Sequence, residues 1–124
     1  MRLAATPRAP ADARQAVAEA VGAVLEPEAL REIQLLVTEL VTNAVRHGGL
    51  TPSDTITVEV LARDRAVRVE VADGGPGFDP AAALDPGRED PGGWGLLLVS
   101  RLASRWGVSR GRPNVAWFEI DLPV

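Results

Sequence analysis

A carboxylate and an amide stand four residues apart near the end of the longest helical pattern in the chain. On a helix, Glu39 and Asn43 would lie one turn apart on the same face. The neighbouring face is apolar, with Ile33, Val37, Leu40 and Ala44 at helical spacing. A glutamate can act as a general base, and an amide oxygen can complete the shell of a Mg²⁺ ion that keeps several waters. By itself the pair is more typical of a solvated helix face than of a site, because polar residues are the norm there.

The residues after this pair suit a polyphosphate. Arg46 and His47 end the same helical pattern and would add positive charge or hydrogen-bond donors beside it. The chain has no other histidine and no cysteine, which excludes a multi-histidine or thiolate metal site and any disulfide.

Two glycine-rich segments supply further groups that a nucleotide needs. Asp73 follows a strand pattern and opens an Asp-x-Gly-x-Gly motif with Gly75 and Gly77. A carboxylate at a strand end can accept a hydrogen bond from an adenine amino group, and glycines let the backbone approach a base and ribose closely. Because Asp-Gly and Pro-Gly also occur in ordinary turns, this motif alone is not specific.

The second glycine segment, Gly93-Trp94-Gly95, precedes a helix that begins near Leu96. A helix start directs backbone N–H groups at an anion, and Trp94 could cover a bound nucleotide. The segment lacks the lysine and hydroxyl of a P-loop and the full dinucleotide fingerprint, so neither is assigned. Alone, it could be a flexible connection.

The remaining pattern gives the elements that must position these residues. Helical spacing covers 10–24, 27–47 and 96–104, and alternation predicts strands at 55–61, from Val67 into Asp73, at 105–109 and at 115–122. Gly48 and Gly49 would end the second helix. The strands cluster and are joined by turns, which predicts an α+β sandwich: a mixed or largely antiparallel sheet with helices on one face.

Length and composition limit the class of protein. The 124 residues fit one domain over 1–124, with 1–9 as an N-terminal arm or edge strand. The net charge of −4 and the lack of a basic, aromatic-rich stripe argue against nucleic acid as the main partner. No apolar run is long enough for a membrane span and no signal peptide is evident, so we expect a cytoplasmic protein.

The three motifs, in this order and on these elements, resemble the GHKL ATPase superfamily, which has the Bergerat fold. Residues 39–47 resemble its N box, 73–77 its G1 box and 93–96 its G2 box. Within this superfamily, the chain is most similar to the anti-sigma-factor serine kinases of bacteria and to the small, stand-alone ATP-binding regulators of actinobacteria. The similarity lies in its compact length, in the residue sequence of the first motif and in the C-terminal segment 117–123.

The resemblance implies ATP and Mg²⁺ as ligands and a role for each motif residue. Asn43 would ligate the metal, Glu39 would be the general base and Asp73 would bind the adenine amino group. The nucleotide would be lined by Gly75, Gly77, Gly93 and Gly95, beside Arg46, His47, Trp94 and Leu96. Residues 79–91 would form a lid, in which Arg88 either reaches a phosphate or is solvated.

The sequence departs from this family in its last strand. Many relatives carry a threonine that helps to hold adenine, and our alignment places Val115 or Ala116 there. Base binding is therefore expected to be weaker or differently arranged. Of the other tryptophans, Trp106 is expected in the core, and Trp117 is expected to point away from the face of Phe118, towards a partner.

The resemblance implies a serine/threonine kinase that phosphorylates an anti-anti-sigma protein and sequesters a sigma factor. Relatives of this type are often dimers. Two alternatives remain open: a non-catalytic binding module that reports ATP to a partner, and a detached histidine-kinase catalytic domain acting on a histidine-bearing partner. A structural α+β domain with accidental motifs is the least specific reading.

Overall fold

The computed structural model describes residues 1–47, 50–74, 95–111 and 113–123. In chain order its elements are β1 (Arg2–Ala4), α1 (Ala9–Val21), α2 (Pro27–His47), β2 (Thr55–Arg63), β3 (Ala66–Asp73), α3 (Gly95–Leu102), β4 (Arg105–Ser109) and β5 (Asn114–Asp121). The predicted α+β class is confirmed, and the long helix has the bounds that its pattern predicted.

The five described strands form one sheet in the order β1-β2-β3-β5-β4, and every pairing is antiparallel. Of the two predicted possibilities, a mixed sheet or a largely antiparallel one, the described strands form the antiparallel one. In the β3–β5 ladder Asp73 lies directly opposite Asn114. This register matters because it places a residue of the last strand beside the carboxylate of the second motif.

The core lies between one face of the sheet and the helices. Alternate residues of β3 are buried, and the centre of β5 contributes Phe118, which is fully buried. α2 supplies the largest helical share of this core, namely Ile33, Leu36, Val37, Leu40, Val41 and Ala44. The apolar stripe of α2 therefore fixes its rotation about its own axis, and with it the positions of Glu39 and Asn43.

Several predicted boundaries were wrong by a few residues. α1 ends at Val21 and not at 24: the N–H of Gly22 still donates to the carbonyl of Ala18 at 2.9 Å, but residues 22–24 form a turn in which the N–H of Val24 donates to the carbonyl of Val21 at 3.1 Å. The β2–β3 hairpin is longer than predicted and turns at Asp64, which has a φ of 51°. α3 ends at Leu102, two residues early. The predicted cap at 48–49 lies outside the described residues.

The two tryptophans of the sheet differ in their surroundings. Trp106 is half-buried and packs against the core. Trp117 lies on the face opposite the helices, where the guanidinium of Arg68 stands 4.0 Å from its ring centroid. Gly107 lies beneath the same ring. Trp117 thus points away from the face of Phe118, as predicted, and its ring is covered from within the chain.

None of the helices in the described ranges combines the length and hydropathy needed to cross a membrane.

Candidate functional site

One pocket collects residues from α2, β3, β4 and β5. Its walls are apolar and are formed by Leu40, Ala44, Val71, Val108, Val115 and Ala116. Its polar groups are Asp73, Asn114 and Arg110. Apolar walls beside a carboxylate are the groups that a flat, largely apolar ring with a hydrogen-bond donor would contact. The cavity itself encloses only about 10 Å³, so such a ring would lie against it and not within it.

Asp73 lies at the end of β3, as predicted, and is 8% exposed. Asn114 faces it from β5, is equally buried, and donates from Nδ2 to Oδ1 of Asp73 at 3.2 Å. The Asn114 Oδ1 atom in turn accepts the N–H of Gly111 at 3.1 Å. Both ends of the amide are therefore engaged, and the Asp73 carboxylate is held in one orientation.

Asn114 was missed by the sequence reasoning. We aligned the family's threonine with Val115 or Ala116, and both of these do line the pocket. The group that contacts Asp73 comes one position earlier, because the antiparallel register pairs 73 with 114. A polar residue at the start of an otherwise apolar strand was the available signal.

Asn43 is 3% exposed on α2, and its Nδ2 has no hydrogen-bond partner within the described residues. A buried polar atom left unpaired costs about 1–3 kcal/mol, and native proteins keep few of them. The unpaired atom is a hydrogen-bond donor, which suits a phosphate oxygen, and turning the amide over would present Oδ1 to a cation. The chemistry of Asn43 is therefore compatible with its predicted role on the cation and phosphate side, which stays a prediction.

Glu39 lies one turn before Asn43 and is partly buried. Burial raises the pKa of its carboxyl group above the ordinary value, and the positive charge of Arg46 opposes this shift. Arg46 itself is exposed. A carboxylate with a raised pKa is a stronger base than a free glutamate once it is ionised.

The other predicted site residues divide into two groups. His47 is the last residue of α2, Gly95 is the first of α3, and Leu96 is buried beneath the start of α3. The predicted lid at 79–91 with Arg88, and the motif residues Gly75, Gly77, Gly93 and Trp94, lie outside the described residues.

Known proteins resemble this chain in sequence and in fold. The family model described as "Histidine kinase-like ATPase domain" matches residues 3–118. The chain belongs to this family. The predicted membership of the GHKL superfamily is thereby confirmed, and the antiparallel sheet with helices on one face is the sandwich expected for it.

Solved structures of this family share the fold at low identity. The structure of the RsbU and RsbW domains of Rv1364c from Mycobacterium tuberculosis matches with a TM-score of 0.69 and 23% identity, covering 98% of this chain and 32% of that one. The histidine kinase domain of the Erythrobacter litoralis EL346 blue-light activated histidine kinase matches with a TM-score of 0.63 and 22% identity, covering 91% and 59%. A histidine kinase from Burkholderia phymatum STM815 gives 0.57 and 17%, covering 99% and 71%.

The chain thus spans about a third and about three fifths of the first two structures that it matches. At these identities the likeness concerns the fold of one domain. No curated protein matches the chain.

Proposed function

We propose that this ATPase-family domain binds magnesium-ATP between α2 and β3 and transfers the γ-phosphoryl group to a serine or threonine of an anti-anti-sigma protein. In the same proposal it also sequesters a sigma factor. One observation carries the nucleotide site: α2 presents Leu40 and Ala44 to the pocket of Asp73, and the adjacent residues Glu39 and Asn43 form the pair suited to phosphate chemistry.

The pocket supports adenine as the base. The Asp73 carboxylate accepts hydrogen bonds only, so it favours the exocyclic amino group of adenine and repels the exocyclic oxygen of guanine. The amide of Asn114 holds one carboxylate oxygen at 3.2 Å, which restricts how Asp73 can turn to suit another base. The apolar side chains of the pocket would contact the ring.

Asn43 supports a magnesium ion on the phosphate side. Its amide is buried and one of its atoms lacks a partner within the described ranges, so a ligand would satisfy it. Rotation of the amide group would present Oδ1, which is the oxygen type that Mg²⁺ accepts next to water and phosphate. When bound, the cation would neutralise negative charge on the phosphates.

Glu39 is placed to accept the proton of the attacking hydroxyl. Because burial raises its pKa, its ionised form is a better base than a solvated glutamate, while the positive charge of Arg46 opposes that rise and favours the ionised form. Phosphoryl transfer depends chiefly on positioning and charge stabilisation, so one base beside one metal ligand is sufficient machinery.

The proposed acceptor and partners are supported by the resemblance of the motifs and by the similarity of the fold, and not by the geometry of the site. The motifs resemble anti-sigma serine kinases, and the fold is similar to a structure that contains an RsbW domain. This support favours a serine or threonine acceptor on a regulatory protein. Histidine kinase domains share the same fold, so the nature of the acceptor must be tested directly.

The test follows transfer from γ-labelled ATP to purified anti-anti-sigma proteins. The native chain should produce an acid-stable phosphoester, and Glu39→Gln should lower transfer by about a hundredfold or more with ATP affinity retained. Glu32→Gln is the matched control, since it removes a carboxylate from the same helix without touching the pair.

Three results would contradict the proposal. Undiminished transfer by Glu39→Gln would remove the base. An acid-labile product would indicate a phosphohistidine and a histidine-kinase role. ATP binding without transfer to any acceptor would indicate a non-catalytic binding module.

A further inference from the structure

An arginine lies at the rim of the pocket that holds Asp73. Arg110 is the first residue after β4, and it lines this pocket together with Asp73 and Asn114. Trp106 and Val108 precede it at alternate positions of β4, and both pack against the core on the helix side of the sheet. Because side chains alternate along an extended strand, Arg110 continues on that same side, where the pocket opens.

Arg110 differs from the other arginines of β3 and β4 in its partners. Arg68 and Arg105 each form salt bridges with two carboxylates of the sheet. The side chain of Arg110 is exposed and makes neither a salt bridge nor a hydrogen bond within the described ranges of the chain. Its guanidinium is therefore available to a molecule that binds in the pocket.

The backbone next to Arg110 is tied to the carboxylate of the pocket. Gly111 donates its N–H to Oδ1 of Asn114 at 3.1 Å, and Nδ2 of the same amide donates to Oδ1 of Asp73 at 3.2 Å. One side chain thus joins the turn that carries Arg110 to the group that would bind the base. The position from which the Arg110 side chain reaches over the pocket is fixed relative to Asp73.

The pocket itself would leave one face of a bound base uncovered. It is too small to enclose a ring, so a base would lie with one face against the apolar side chains and the other directed outward. A guanidinium is planar and stacks on the face of an aromatic ring, where the ring also attracts its charge. The same chain contains such a contact, since the Arg68 guanidinium stands 4.0 Å from the centroid of the Trp117 ring.

We propose that Arg110 is a nucleotide-binding residue whose guanidinium stacks on the outward face of the adenine ring. This role rests on the proposed function, since it requires a base in the pocket of Asp73. The two residues act on different parts of the base: Asp73 accepts a hydrogen bond at its edge, and Arg110 holds its plane against the apolar wall.

Arg110 acts on the base and not on the phosphates. It lines the pocket together with Leu40 and Ala44 of α2, whereas Glu39 and Asn43 occupy another side of that helix and do not line the pocket. The contribution of Arg110 should therefore be the same for adenosine, ADP and ATP, which share the base and differ in their phosphates.

The first test measures the affinities of adenosine, ADP and ATP for the full chain by calorimetric titration. Arg110→Ala should weaken all three by the same factor, about three- to tenfold, because a stacking contact with the common base is lost. Arg110→Lys should weaken them nearly as much, since an ammonium group keeps the charge but not the plane. Arg31→Ala is the matched control, because it removes an exposed arginine from the first half of α2 and should leave the three affinities unchanged.

The possible failures of this test are distinct. Losses confined to ADP and ATP, with binding restored by Arg110→Lys, would assign Arg110 to the phosphates and overturn the stacking. Binding by the native chain that Arg110→Ala retains in full would overturn the role of Arg110 and leave the proposed function standing. Failure of the native chain to bind any of the three ligands would overturn the proposed function, and the role of Arg110 with it.

The second test observes the contact directly by NMR spectroscopy of the full chain. The δ-methylene protons of Arg110, identified by their absence from the spectrum of Arg110→Lys, should shift upfield as adenosine is added, because protons above an aromatic ring are shielded. The corresponding protons of Arg68, which already lies over Trp117, should not move. Unshifted Arg110 protons at saturating adenosine would overturn the stacking.

Discussion

Replacing Asn43 by leucine is expected to stabilise the protein in the absence of nucleotide. Leucine has the same number of side-chain heavy atoms as asparagine and a similar branched shape. Asn43 is 3% exposed with an unpaired Nδ2, so the folded state carries the desolvation cost of that group, about 1–3 kcal/mol. Leucine removes this cost and has a better helix propensity by a few tenths of a kcal/mol. Imperfect packing of the larger methyl groups would cost about 1 kcal/mol.

The net gain is therefore roughly 0.3–2.5 kcal/mol in the free energy of unfolding. Urea denaturation without nucleotide measures it, and in a thermal scan it corresponds to a rise in Tm of roughly 1–12 °C for a domain of this size. Val41→Leu is a useful control, since Val41 is fully buried on the same helix but apolar, and its enlargement should destabilise the protein. A loss of stability for Asn43→Leu would refute the view that Asn43 is retained for a ligand at a cost in stability.

Three further predictions concern groups around the site and sheet. Burial raises the folded-state pKa of Glu39 above 4.5, so protonation of Glu39 favours folding and this contribution is lost as the pH rises. The stability of Glu39→Gln relative to the native chain should therefore increase from acid to neutral pH. A flat or opposite trend in denaturant titrations would contradict this prediction. Asn114→Ala should lower the free energy of unfolding by about 2–4 kcal/mol, because it removes one hydrogen bond to the buried Asp73 carboxylate and one from the backbone N–H of Gly111. A loss below about 0.5 kcal/mol would show that the amide does not hold the carboxylate. Gly107→Ala should cost about 1–3 kcal/mol, since its Cβ would come within 2.7 Å of the Trp117 ring, and unchanged urea unfolding would count against that contact.

Much of the fold could be predicted because, along most of the chain, the hydrophobic periodicity and the glycine and proline residues that interrupt it indicate the same elements. The proline at its start and the apolar spacing predicted where α2 begins, and the pair of glycines that follow His47 in the sequence predicted where it ends. Strand boundaries were less accurate, because Asp64 and Arg65 form a tighter turn than polarity alone indicates. The end of α1 was misplaced since Val24 continues the apolar spacing although the helix ends before Gly22.

The site could be predicted where one element carries it and not where two elements meet. Glu39 and Asn43 share a helix, so their spacing along the sequence fixes their relation in space. The contact of Asn114 with Asp73 depends on the register of two strands 41 residues apart, which no local pattern specifies. The unpaired amide of Asn43 is equally invisible in the sequence, because it depends on what surrounds the helix.

Calorimetric titration with ATP, with and without Mg²⁺, tests the central claim most directly. The native chain should bind ATP with an affinity that Mg²⁺ increases, and Asn43→Leu should lose the magnesium-dependent part while remaining at least as stable as the native fold. Binding that is the same in both proteins, or no binding of ATP by the native chain at millimolar nucleotide, would contradict the assignment of the pocket of Asp73 and the α2 pair as a magnesium-ATP site.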